Sequence, residues 1–195
     1  MRRIAFLSCI FAAIIPSLLK RYVPGGFCGV LAGKSLWPAN YTVMENELSD
    51  VVGTVKIMDG FDRSKPDSKD LIHISECFAR MGCDVVILHP VHFKAPEYAR
   101  IYGPLLGTKY ERKCPDLMID GKYYEYESYV RPWNKRKLSN MITDGLRQSD
   151  KIIIDNRNGA SFRQINRSIR SRLSINAHIA EVWIYDGDSV IDIYP

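Results

Sequence analysis

The order of short apolar runs and helical repeats from residue 68 onward places the strongest limit on the fold of this chain. Two apolar runs rich in β-branched residues, Asp84–His89 and Lys151–Asp155, have the length of buried strands. Each follows a segment in which apolar residues recur every three to four positions, Ser68–Met81 and Lys135–Ser149. We therefore predict a mixed-sheet α/β or α+β sandwich, with helices packed on the sheet.

Aspartate–glycine pairs predict two hairpins within this order. Asp120-Gly121 separates Leu117–Ile119 from Lys122–Ser128, and such a pair is the strongest short-range signal for a two-residue hairpin turn. The predicted order from residue 68 is αβββαβ, followed by a helix and a closing hairpin. The remaining predicted elements are helices at Pro96–Tyr102 and Ser161–Leu173 and strands at Glu181–Tyr185 and Ser189–Tyr194, which flank Asp186-Gly187.

The first 43 residues differ from the rest of the chain. They contain five basic residues and no acidic one, so they carry the whole formal charge of +5 and residues 44–195 are formally neutral. An uncharged run at residues 4–19 is shorter than the about 20 apolar residues that span a membrane, and Pro16 would kink it. Three interpretations stay open: a non-functional upstream extension with the natural start at Met44, a secretory signal or membrane anchor, or a packed part of the fold.

We predict a single domain at residues 44–195 that is cytoplasmic. Secretion or membrane association is expected only if the basic and apolar start of the chain, residues 1–21, acts as a signal or anchor. No small-molecule cofactor is predicted, because the run Gly29–Ser35 resembles a phosphate-binding loop but has Cys28 where that motif requires glycine.

Three carboxylates converge on the predicted central hairpin. With a two-residue turn, Asp116 faces Glu125 across the strands, and Glu127 shares their face because side chains alternate along a strand. Directly opposed like charges are destabilising, so this arrangement requires water, a cationic partner or a metal ion. Divalent ions such as Mg²⁺ bind carboxylates and can activate a water beside a phosphate. The alternative is a solvated acidic face balanced by Lys122 and neighbouring arginines.

The motif Pro115-Asp116, followed by Glu125-x-Glu127 on the next strand of an αβββαβ order, resembles the PD-(D/E)XK nuclease superfamily. The longer run through Gly121, with Leu146–Ser149 after it, looks most like the nuclease toxin domains of contact-dependent inhibition systems. The resemblance covers about residues 68–194. It implies a restriction-endonuclease-like core and hydrolysis of DNA or RNA with Mg²⁺ or Mn²⁺.

The same resemblance implies roles for individual residues. Asp116 and Glu125 would bind the metal, and Glu76 on the first helix matches an additional carboxylate of some members. Gln148 matches a glutamine of the helix after the motif. Glu127 stands where the motif has lysine; it can act as a general base or a further ligand, but it cannot supply positive charge to a phosphate. Candidates to supply that charge from neighbouring elements are Lys135, Arg136 and Lys151.

Basic residues near two of the predicted helices indicate a nucleic-acid contact. A helical stripe of arginines and a basic segment before the helix at 135–149 can both contact phosphates. The alternative is the solvated face of a packed helix, because residues 44–195 are neutral overall. The candidate nucleic-acid residues are Arg131, Lys135, Arg136, Arg163, Arg167 and Arg170.

Two functions of different class therefore remain open. The first is a metal-dependent nuclease whose carboxylates converge on a divalent ion. The second is a catalytically inactive binding or accessory protein of a mobile element or toxin system, with its carboxylates solvated or paired with arginines. Nucleic acid is the expected partner of both, and a toxin would also have a cognate inhibitor protein. A metal-independent ribonuclease is a third possibility and would require histidine and arginine side chains that face one another.

Overall fold

The computed structural model describes residues 41–44, 53–129, 132, 134–175 and 177–194. Within these residues, eight strands form a sheet in which neighbouring strands follow chain order. The strands are β1 Tyr41–Met44, β2 Val55–Met58, β3 Val85–Ile87, β4 Leu117–Ile119, β5 Lys122–Glu127, β6 Lys151–Asp155, β7 Glu181–Tyr185 and β8 Val190–Tyr194. The helices are α1 Ser68–Arg80, α2 Pro96–Tyr102, α3 Lys135–Gly145 and α4 Phe162–Leu173, and a 3₁₀ turn follows α2 at Gly103–Leu105.

The sheet is mixed, as predicted. Strands β2, β3, β5, β6 and β7 run in one direction, and β1, β4 and β8 run in the other. Helix α1 connects β2 to β3, α3 connects β5 to β6, and α4 connects β6 to β7. The α/β character of the fold is confirmed, and every element predicted from residue 68 onward is present with the predicted bounds or shorter ones. Strands β1 and β2 were not predicted, and the expected boundary after residue 43 falls inside β1.

The central hairpin has the predicted register. Leu117 pairs with Tyr124, and Ile119 pairs with Lys122 across the turn. Asp120 and Gly121 have φ values of 46° and 77°, the double positive φ that a type I′ turn requires. Because this register is continuous, Asp116, the residue before β4, lies next to the middle of β5.

Two apolar layers cover the two faces of the sheet. Helix α1 buries Leu71, Ile74 and Phe78, which recur at helical spacing, against one face. That face includes Tyr124 and Tyr126 of β5. The other face is covered by α2 near β3 and β4 and by α3 and α4 near β6 and β7. Alternation along β5 therefore directs its two glutamates toward the second face, between the layers formed by α2 and by α3 with α4.

No helix in the described part of the chain has both the length and the apolar character needed to cross a membrane. Apart from the strand positions 41–43, the predicted extension at residues 1–43 lies outside the described residues, and so do its phosphate-loop-like run and the candidate Arg131.

Candidate active site

Asp116 and Glu127 lie at the carboxyl ends of the parallel strands β3 and β5, and Glu125 lies two residues earlier in β5. This end of the sheet is where open α/β sheets bind their ligands. Asp116 immediately precedes the antiparallel β4, and its carbonyl accepts a hydrogen bond of 2.9 Å from Leu88 N at the end of β3. A cavity of about 200 Å³ opens beside it. The cavity is also lined by Tyr126, by His89 and by residues just before α1, among them Lys65.

Asp116 is a half-buried carboxylate held by the backbone of β5. Its Oδ2 accepts a hydrogen bond of 3.1 Å from the Tyr126 N–H. Burial raises its pKa to about 6, against the opposing effect of that hydrogen bond. The negative charge of Asp67 raises the pKa further, and the positive charge of Lys65 lowers it. Asp116 is therefore mostly ionised at neutral pH and oriented by the strand that carries both glutamates.

Glu125 is the least satisfied of the three carboxyl groups. Its Oε2 is buried and has no hydrogen-bond partner among the described residues. Burial raises its pKa to about 10, and the charges of Asp116 and Glu127 contribute to this rise. Buried carboxylate oxygens normally have hydrogen-bond partners, and each exception requires an explanation. At neutral pH and without a bound cation, Glu125 therefore holds a proton.

Glu127 lies against helix α3. A Cβ added to Gly145 would lie 3.1 Å from Glu127 Cγ, so the absence of a side chain there lets the glutamate approach the helix. Burial raises the pKa of Glu127 to about 7, and the charges of Asp144, Asp116 and Asp67 raise it as well. Within the described residues, no lysine or arginine forms an ion pair with Glu127. Its pKa lies near neutrality, where a carboxylate can exchange protons.

A fourth carboxylate, Asp67, belongs to this group and was not among the candidates predicted from the sequence. Asp67 is the N-cap residue of α1, but its side chain makes no capping hydrogen bond. Its Oδ1 instead accepts a hydrogen bond of 2.9 Å from Ser128 Oγ, at the end of β5. Asp67 thereby joins the start of α1 to the strand of the predicted motif. The sequence indicated the position of Asp67 only indirectly. Because α1 connects two parallel strands, it begins at the end of the sheet where β2 and β3 both end.

Glu76 and Gln148 are not brought into this group by any described contact. Glu76 lies half-buried on α1, nine residues beyond Asp67, which is about 13 Å along the helix axis. Gln148 lies in the turn after α3, and its N–H donates to Gly145 O. The next residue, Ser149, makes the connection to the hairpin strand through a hydrogen bond of 2.7 Å to Tyr123 O.

Several cations near the hairpin are already paired. Lys122 lies 2.8 Å from Glu181 Oε1, so it does not balance the hairpin carboxylates. Lys151, a candidate for the missing positive charge, lies at the opposite end of its strand and pairs with Asp150 at 2.8 Å. The two cations that lower carboxylate pKa values in the site are Lys65, which acts on Asp116, and Lys113, which acts on Glu125. Neither was singled out from the sequence.

An ion network of Arg157, Asp70 and Asp155 supports the strand behind the site, although the Arg157 side chain is 38% exposed. Arg157 binds Asp70 through Nη1 and Nη2 and binds Asp155 through Nε and Nη2. The Asp155 side chain is only 2% exposed. The Tyr126 hydroxyl, which has a single hydrogen to donate, lies within hydrogen-bond distance of both aspartates, with its oxygen 3.2 Å from Asp70 Oδ2 and 3.4 Å from Asp155 Oδ2. This network fixes Tyr126, whose backbone N–H in turn holds Asp116.

The basic candidates form a surface on α3 and α4. Arg163, Arg167 and Arg170 are exposed and line one shallow hollow. Lys135 at the start of α3 shares a smaller hollow with Arg167, so the two helices contribute to one basic face. Arg136 is also exposed in the first turn of α3. In the part of the chain that the structure describes, the three arginines have no acidic partner.

No three histidine, cysteine, aspartate or glutamate side chains among the described residues are arranged so that they could hold one metal ion. Comparison of the chain with known protein families, with curated proteins and with solved structures found no match.

Proposed function

We propose that the chain is a metal-dependent nuclease that hydrolyses DNA or RNA phosphodiesters, with a restriction-endonuclease-like core formed by α1, β3, β4, β5, α3 and β6. The observation that supports this best is the buried, unpartnered Oε2 of Glu125 beside Asp116 and Glu127. A bound cation would satisfy that oxygen and remove the repulsion between the carboxylates. The order of these elements also agrees with the αβββαβ core, with α2 inserted between β3 and β4.

The donor set suits a hard divalent ion. Asp116 and Glu125 would hold Mg²⁺ or Mn²⁺, with water as the remaining ligands, and Mg²⁺ usually binds proteins through only one or two carboxylates. A site with two protein ligands is compatible with the finding that, among the described residues, no three side chains are placed to hold one metal ion. When bound, such an ion lowers the pKa of a coordinated water and neutralises charge that develops on a phosphate. The protein supplies the orientation of the two ligands.

Residues around these two ligands would perform the remaining steps. The Tyr126 N–H fixes the orientation of Asp116. Glu127, with a pKa of about 7, accepts the proton of the attacking water near neutral pH. The basic face formed by Lys135 and the arginines of α4 binds the phosphate backbone away from the scissile bond, because it has no acidic partner in the described residues.

Cleavage assays on the full chain test this function directly. Plasmid DNA and total tRNA are incubated with Mg²⁺, Mn²⁺ or EDTA, and products are resolved on gels. Glu125→Gln keeps the size of the side chain and should lower the rate at least about 100-fold. Glu97→Gln is the matched control, because Glu97 is an exposed glutamate on α2 that contacts only Arg100. Cleavage of tRNA that persists in EDTA would support the metal-independent ribonuclease instead.

An inactive binding module of a mobile element or toxin system is the second candidate. Two observations favour it: Glu127 replaces the lysine of the motif, and no three donors are gathered for a metal. Folded protein that binds either nucleic acid but cleaves neither, with any divalent ion, would support the module. The same binding assay with the α4 arginines changed to glutamine would then identify its binding surface.

A further inference from the structure

The proposed nuclease lacks a cation at the position of the motif lysine, and one lysine near the site is a candidate to supply that charge. Three basic residues near the hairpin are occupied by carboxylates elsewhere: Lys122, Lys151 and Arg157. Lys65 differs from them. It is exposed, it has no ion pair among the described residues, and it lines the same cavity as Asp116.

The backbone around Lys65 is held in place by a short hydrogen-bonded loop. Asp62 Oδ1 accepts hydrogen bonds from Ser64 N and Ser64 Oγ, at 2.9 and 2.6 Å. Ser68 closes the loop: its N–H donates to Lys65 O at 3.1 Å, and its Oγ donates to Asp62 O at 2.6 Å. Ser68 is itself buried at the start of α1. The loop therefore presents Lys65 from a fixed backbone position at the mouth of the cavity.

The cavity has room for a phosphate group and water. Its volume is about 200 Å³, well above the roughly 10 to 15 Å³ that a cavity needs to hold one water molecule. His89 forms part of the wall, and Gly60 permits its approach, because a Cβ at Gly60 would lie 3.1 Å from the His89 ring. The lining thus contains one lysine, Lys65, and three carboxylates, those of Asp62, Asp67 and Asp116.

We propose that the scissile phosphate of the nucleic acid occupies this cavity and that the Lys65 ammonium binds one of its non-bridging oxygens. This inference rests on the proposed nuclease function. A water oxygen attacks phosphorus, and its proton passes through a second water to Glu127, which lies outside the cavity lining, while the bond from phosphorus to the leaving oxygen breaks. The leaving oxygen keeps the electron pair and takes a proton from solvent. Lys65 neutralises the charge that grows on the phosphoryl oxygens, which is the task that Glu127 cannot perform.

Steady-state cleavage by the full chain tests this assignment. Lys65→Gln should lower kcat by about 100-fold or more with little change in KM, because the charge that it removes matters most in the transition state. Lys65→Arg should retain most of the activity, since it keeps the positive charge. Lys69→Gln is the matched control, because Lys69 is an exposed lysine one turn further along, on α1. Circular dichroism of each variant verifies the fold.

The outcomes separate this inference from the function on which it rests. If the parent chain cleaves and Lys65→Gln cleaves equally well, the assignment of Lys65 is wrong and the nuclease function stands. A loss confined to Lys113→Gln, the other lysine that acts on the site, would overturn the assignment in the same way. A rise in KM alone, or a failure of Lys65→Arg to restore kcat, would also contradict it. No cleavage by the folded parent chain would overturn both proposals.

Discussion

Replacing Glu125 with glutamine should make the stability of the chain much less dependent on pH. The pKa of Glu125 is raised from its ordinary value of 4.5 to about 10 in the folded protein. Between these values the folded state keeps a proton that the unfolded state releases, so stability decreases as pH rises. The decrease is about 1.4 kcal/mol per pH unit, or about 4 kcal/mol between pH 5.5 and 8.5. Glutamine is neutral at both pH values and does not contribute this slope.

Urea unfolding in EDTA measures this difference. The free energy of unfolding of the full chain and of Glu125→Gln is determined at pH 5.5, 7 and 8.5 from tryptophan fluorescence and circular dichroism. We expect the variant to gain about 4 kcal/mol relative to the parent chain across that range. Glu97→Gln, which changes an exposed glutamate, should follow the parent chain. Equal pH slopes for Glu125→Gln and the parent chain would refute the buried, protonated state of Glu125.

Three further predictions concern the metal, the ion network and the basic face. Mn²⁺ at a hundredfold excess over its Kd should stabilise the parent chain at pH 8 by about 2.7 kcal/mol, with no shift in the thermal midpoint of Glu125→Gln; an equal shift in both would place the ion elsewhere. Arg157→Met leaves the buried Asp155 unpaired and should lower the free energy of unfolding in urea by about 3 to 5 kcal/mol. A decrease of less than about 1 kcal/mol, as for an exposed ion pair, would contradict the burial of Asp155. Changing the three arginines of the basic face to glutamine should reduce the salt dependence of nucleic-acid binding, lowering the slope of log K against log salt by about 3. The three arginines are Arg163, Arg167 and Arg170. The control is Arg147→Gln, because Arg147 is already paired with Asp144. An unchanged slope would show that the basic face does not bind the nucleic acid.

The parts of the fold that depend on local sequence could be predicted. The register of the central hairpin follows from the chemistry of one turn, because Asp120 and Gly121 both adopt positive φ. Helix α1 follows from the spacing of its buried residues. Strand β2 could not be predicted, because Val55–Met58 is short and pairs in parallel with a strand beyond α1. Its stability comes from that distant partner rather than from its own pattern.

The end of α3 illustrates a competition between local pattern and tertiary contact. The apolar repeat continues to Leu146, so the sequence predicts a helix to Ser149, but α3 ends at Gly145. Ser149 instead donates to Tyr123 O of β5, which turns the chain toward β6. Gly145 also leaves the space that Glu127 occupies. A helix propensity of less than about 1 kcal/mol per residue is readily overridden by such contacts.

The candidate site was predictable only where the strands determine it. The hairpin register alone brings Asp116 beside Glu125, so that part required no tertiary information. Asp67 and Lys65 reach the same place because the loop before α1 lies at the carboxyl ends of β2 and β3, far from the motif in sequence. Glu76, in contrast, lies nine residues beyond Asp67 on the same helix, which is too far along the helix axis to reach the other carboxylates.

Position 127, where the motif that this chain resembles has lysine, carries a glutamate, and no lysine or arginine forms an ion pair with it among the described residues. A lysine there would face Asp116 and Glu125 and would hold both in the ionised form. Burial is the main cause of the raised pKa values of Glu125 and Glu127, and the negative charges of neighbouring carboxylates add to it, so that protons take the place of a cation. Any divalent ion must displace those protons, so its affinity should increase with pH up to the pKa of Glu125. The carboxylate charge that lowers the stability of the fold at alkaline pH is therefore the charge that would favour a bound metal ion, and a phosphate bound here as proposed would need a positive partner from outside the hairpin.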